Sequence, residues 1–112
     1  MCQISNRDQP TDTPKLPPAN DRTRPLFALG RVVATPGVLE HFVTNGIDPI
    51  PYISRHQCGD WGEVPPEDAR ENDLSVLNGL RVLSAYKIAE KRVWIITEWD
   101  RSSTTLLFPS EY

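Results

Sequence analysis

The stretch LRVLSAYKIAEKRVWIITEWDRSSTTLLF, residues 80–108, decides the fold. Apolar and polar residues alternate from 80 to 88, which places Val82, Ser84, Tyr86 and Ile88 on one side of a strand. Ala89-Glu90 falls where a hairpin should turn. Residues 92–98 carry Val-Trp-Ile-Ile-Thr, the most strand-like run in the chain. A polar link at 100–103 leads to a third strand over 104–108, and Pro109 stops it. Three consecutive strands with short links predict an antiparallel meander.

Upstream of it the signals change from sheet to helix. Residues 29–34 read as one strand. Thr35-Pro36 then starts a helix, because Thr caps and Pro suits the first helical position. Asn45-Gly46 ends it. Asp48-Pro49 repeats the start signal for a second short helix, running to about residue 57. A third helix is predicted from Pro66 to Asn78-Gly79, with Glu67 and Asp68 at its positive end. Ala69, Val76, Leu77 and Leu80 are expected to form its inner face. The order β-α-α-α-β-β-β predicts an α+β domain over residues 26–112.

Residues 1–25 differ in kind. They hold five of the 11 prolines and few apolar residues. Such a segment buries too little apolar surface to offset its ordering entropy, so a disordered proline-rich arm is expected there.

Composition narrows the function classes. Across 112 residues the net charge is −3. Residues 26–112 carry eight basic against twelve acidic side chains, net −4. General nucleic-acid binding calls for a basic footprint, so it is not favoured. No apolar run reaches the roughly 20 residues needed to span a bilayer, and the N-terminus lacks the apolar core of a secretory signal. A cytoplasmic protein is expected, with no membrane association. Cys2 and Cys58 lack metal-site spacing, so no metal is expected and both read as free thiols. Phosphate-loop motifs are missing, and no cofactor is expected.

Two constellations carry chemistry. Arg55-His56 with Asp60 and Trp61 sits at the predicted end of the second helix. A histidine there suits proton transfer, and equally suits a structural hydrogen bond. The hairpin segment 97–104 sets hydroxyls beside one arginine, a pattern able to hold a phosphate. Convergence of His56, Arg101, Thr104 and Glu98 would suit phosphodiester cleavage, with His or Glu moving protons and Arg stabilising developing charge. Asp60, Trp61, Trp99, Asp100 and Arg101 are the candidate binding residues. Trp94 and Trp99 exceed what one sheet face can bury, which points to a second covered surface. A homodimer or another protein would supply it.

LGRVVATPG (29–37), RHQCGDWG (55–62), LSAY (83–86) and WIITEWDRSSTTLLFPSEY (94–112) resemble a group of small "plasmid-related" proteins. These occur on proteobacterial plasmids and integrative elements. The group usually carries a smaller residue where this chain has Trp99. The resemblance implies a mobile-element setting and no particular activity. Two functions are compatible with it. One is a non-enzymatic binder or inhibitor of a host or element-borne protein, such as a defence complex. The other is a small ribonuclease, by analogy of element order with barnase-like and RelE-like enzymes.

Overall fold

The computed structural model describes residues 16–112. It contains β1 (Arg31–Ala34), α1 (Pro36–Thr44), α2 (Ile50–Gln57), α3 (Pro66–Asn78), β2 (Val82–Ile88), β3 (Lys91–Thr97) and β4 (Ser103–Leu107), with short 3-10 turns at Ala19–Asp21 and Pro109–Glu111. This is the predicted α+β order. No helix among the described residues is long and apolar enough to cross a membrane.

Local chemistry sets the element ends. Thr35 accepts a hydrogen bond from the amide of Val38 at 3.3 Å, with Pro36 following it. Gly79 closes α3 in the left-handed conformation, φ +68°. Ala89 and Glu90 both take positive φ, so the β2–β3 hairpin turns in two residues with the twist that such hairpins favour.

The sheet is mixed, not wholly antiparallel as the meander alone predicts. Its order is β1-β4-β3-β2. β2, β3 and β4 form the antiparallel meander, and β1 adds to its far edge parallel to β4. The β1-to-β4 connection contains all three helices. Val38, Phe42 and Ile53 from α1 and α2 pack on Tyr86, Ile88, Val93, Ile95 and Leu106 to form the core. Val82, Ser84, Tyr86 and Ile88 are all buried on one side, as their alternation predicts. On the other sheet face Trp94 lies edge-on against Tyr112, whose turn folds back from β4.

The expected arm over 1–25 falls partly outside the described residues. Its described part, from 16 to 25, touches the domain. Arg22 donates to the Gly59 carbonyl at 2.9 Å and forks onto both oxygens of Asp73 at 3.0 and 3.1 Å. The bidentate pair fixes the segment on α3, and the Gly59 bond fixes it on the loop before that helix.

α3 departs most from expectation. Asn72 and Ser75 are its buried residues, while Leu74, Leu77 and the following Leu80 are exposed. The reason lies at the β2 edge. Asn72 donates to the Leu83 carbonyl at 2.7 Å and accepts from its amide at 3.1 Å, standing in for a neighbouring strand. Next along that edge, the Ala85 amide donates to Trp61 and the Glu63 amide donates to Ala85. An open edge would otherwise invite strand addition. Asn72→Ala is therefore expected to cost about 1–3 kcal/mol, read by urea unfolding, with more light scattering on heating. An unchanged midpoint and no added scattering would mean that the edge needs no such cover.

Candidate functional site

The RHQCGDWG loop is built into the fold almost residue by residue. Arg55 lies over the Tyr86 ring, 4.6 Å from its centroid, and pairs with Asp60 at 2.7 Å. Gln57 donates to the Phe27 carbonyl, and the Leu26 amide donates to Gln57. Asp60 accepts from the Gly62 amide at 3.2 Å, and its own carbonyl takes the Tyr86 hydroxyl. Burial pushes the Asp60 carboxyl up, but the Arg55 hydrogen bond and the Gly62 amide carry it below its ordinary value. Trp61 is buried, donates to Asp73 at 2.9 Å and stacks on Phe27.

His56 is fully buried, 0% exposed. Its Nδ1 lies 2.6 Å from Ser84 Oγ and its Nε2 lies 2.9 Å from Thr97 Oγ1. Thr97 Oγ1 lies 2.6 Å from Thr104 Oγ1, and Thr104 donates to the Leu29 carbonyl at 2.7 Å. That last bond fixes every proton upstream. Thr104 spends its hydrogen on Leu29, so it accepts from Thr97. Thr97 then has no hydrogen left for His56, so it accepts from Nε2–H. Nδ1 is the unprotonated nitrogen and accepts from Ser84. One neutral imidazole thus ties α2 to β2, β3, β4 and the segment before β1. Burial, followed by the positive charge of Arg101, lowers its pKa to about 3. A neutral ring with both nitrogens engaged, closed off from solvent, serves as a brace and not as a proton shuttle.

Arg101 is half-buried and engaged by carbonyls. It takes positive φ in the β3–β4 turn, and its guanidinium donates to the carbonyls of Leu80 at 2.6 Å, Glu98 at 3.1 Å and Ser75 at 3.1 Å. Ser75 belongs to the last turn of α3, and its carbonyl also accepts from the amides of Gly79 and Leu80. The Phe27 ring lies beneath the guanidinium at 5.3 Å. Partial burial lowers the Arg101 pKa. Arg101 is a clamp between the β3–β4 turn and the end of α3.

Apart from Asp60 and Trp61 in the 55–62 loop, the sequence-predicted residues separate into two groups. His56 and Thr104 meet in the interior, with Thr97 and Ser84, which sequence reading had not singled out as partners. Glu98, Trp99, Asp100 and Arg101 sit together on the turn. Asp100 is solvent-exposed, and hydrogen bonds from the Ser102 hydroxyl and amide hold its carboxyl low. Trp99 is 64% exposed. Because Arg101 grips Leu80 and Ser75, this turn stands at the C-terminal end of α3, whose Leu74, Leu77 and Leu80 are 53, 41 and 53% exposed. One end of the molecule thus presents three leucines and a tryptophan. Sequence did hold a signal for this. Ala69 and Val76 lie on one side of α3 and Leu74 and Leu77 on the other, so no single apolar stripe exists.

Fold and geometry together define a small α+β domain with a polar internal brace and an apolar outer end. Comparison with protein-family models, with curated proteins and with solved structures yields no match.

Proposed function

We propose that this protein is a non-enzymatic binder that engages another protein through the outer face of α3 and the β3–β4 turn. The observation that carries the reading is the reversed helix: α3 turns Asn72 and Ser75 inward and leaves Leu74 and Leu77, with the following Leu80, outside, while Arg101 ties the turn that bears the exposed Trp99 to the carbonyls of Ser75 and Leu80. Clustered exposed apolar side chains mark interaction surfaces, and aromatic anchors dominate binding energies. The resemblance of residues 26–112 to plasmid-borne proteins supports a role as a cytoplasmic accessory protein of a mobile element, acting on a host or element-borne protein such as a defence complex.

The ribonuclease reading draws no support from the placement of its residues. Histidine catalysis needs a ring that reaches substrate, and His56 has no open face. Arg101 gives its fork to three carbonyls.

Pull-down with the full chain from cells carrying the element tests the proposal. A stoichiometric protein partner is expected. Leu74→Ser/Leu77→Ser/Trp99→Ser should lose it while still melting cooperatively within about 12 °C of wild type, since each exposed substitution changes stability by about 0.5 kcal/mol or less. Retention of the partner by this folded variant, or RNA cleavage by the pure protein, would contradict it.

A further inference from the structure

Resting on that binder reading, we infer that the α3–turn end takes a cationic amphipathic helix of the partner protein. Leu74 and Leu77 are one helical turn apart on a 13-residue helix. Side chains so spaced form a ridge that fits the groove of a second helix. Leu80 follows the helix end, and the turn bearing Trp99 is tied there through Arg101; both side chains are exposed.

Charge selects the occupant. Glu67 and Glu71 precede Leu74 by seven and three residues and share its exposed side. Glu98 and Asp100 flank Trp99. Against these four carboxylates stand Arg70 on the same helix side and the exposed Arg81 beside Leu80, which leaves the rim acidic by two charges, while Arg101 points its fork onto carbonyls. Glu71 and Asp68 also open, with Arg81, onto a cleft of about 230 Å³ between α3 and β2, where a lysine stem has room beside Val64 and Leu83. Lysines or arginines flanking an apolar helical stripe complement this rim. A second copy would set acidic rim against acidic rim. Nucleic acid and anionic lipid would meet the same repulsion.

Labelled synthetic peptides provide the test, with the full chain as receptor and fluorescence anisotropy as readout. Both peptides carry leucine at i, i+3, i+4 and i+7. One has lysine at the remaining positions and the other glutamate. The lysine peptide should bind at least about tenfold more tightly than the glutamate peptide, and Glu71→Gln/Asp100→Asn should weaken it several-fold. Leu74→Ser/Leu77→Ser should abolish binding while its circular dichroism melt stays cooperative and within about 8 °C of wild type. Equal binding of both peptides would overturn the charge preference and leave a binding surface standing. Lysine-peptide binding that survives Leu74→Ser/Leu77→Ser would overturn the docking face. A dimer in sedimentation that this double variant dissociates would assign the face to self-association instead. Binding of neither peptide, with a pull-down that still depends on Leu74 and Leu77, overturns the helical partner alone. Loss of that pull-down result overturns the binder reading beneath it.

Discussion

His56→Ala is expected to destabilise the protein by about 3–5 kcal/mol, the largest loss from removing any one side chain in the polar interior. The ring fills a fully buried site and holds Ser84 and Thr97 by one nitrogen each. Its removal leaves a cavity, strips Ser84 of its acceptor and leaves Thr97 short of a donor. For a domain of this size about 1 kcal/mol corresponds to at least about 4 °C, so the melting temperature should fall by about 12 °C or more. The same side chain gives stability a pH dependence of known sign. Its folded pKa of about 3 lies below the ordinary 6.5, so the unfolded chain takes up the proton first as pH falls. The neutral brace contributes fully above about pH 6.5 and is lost toward pH 3, at about 1.4 kcal/mol per pH unit. Urea midpoints between pH 7 and 4.5 should fall accordingly in wild type, and this slope should vanish in His56→Leu. A flat wild-type profile would mean that the ring is charged or hydrated in the folded state.

Gly62→Ala should be comparably severe for a different reason. Gly62 has φ +75°, and an added Cβ would lie 2.0 Å from the Ala85 carbonyl oxygen and 2.7 Å from the Tyr86 ring. The backbone of 61–63 must then lift from the β2 edge, breaking the Glu63–Ala85 hydrogen bond and loosening Trp61. A loss above about 3 kcal/mol is expected, from left-handed strain and overpacking together. Gly46→Ala separates the two, since Gly46 has φ +62° and nothing within 4 Å of the added atom. It should cost only about 1 kcal/mol. Equal losses at both positions would show that the close approach to Ala85 has no energetic role.

What the sequence discloses follows the range of the forces involved. Helix starts at Thr35-Pro36 and Pro66, the stop at Gly79 and the alternation of 82–88 depend on neighbours in the chain, and all were legible. The parallel seat of β1 beside β4 was not, because it joins residues about seventy apart through three helices. The inner face of α3 was misread for a related reason. Apolar periodicity assumes that a helix packs on apolar neighbours, and α3 packs on the bare backbone of an edge strand, which calls for Asn72. His56 could be singled out from sequence as chemically able. Its role as a neutral brace required Ser84, Thr97 and Thr104 from three different strands.

RHQCGDWG shows the same division. As a string it suggested a site. In the fold Arg55, His56, Gln57, Asp60 and Trp61 each hold a neighbour in place. The chemistry-bearing residues went into holding the loop, while Leu74, Leu77, Leu80 and Trp99 stay exposed. Of these, Leu77 and Leu80 were expected on the inner face of α3.

Amide spectra of the ¹⁵N-labelled full chain, taken before and after adding the partner recovered by pull-down, test the binding face most directly. Shifts should concentrate in the C-terminal half of α3 and at residues 98–101, with the 55–62 loop nearly still. Shifts centred on 55–62, or spread evenly over the sheet, would contradict it.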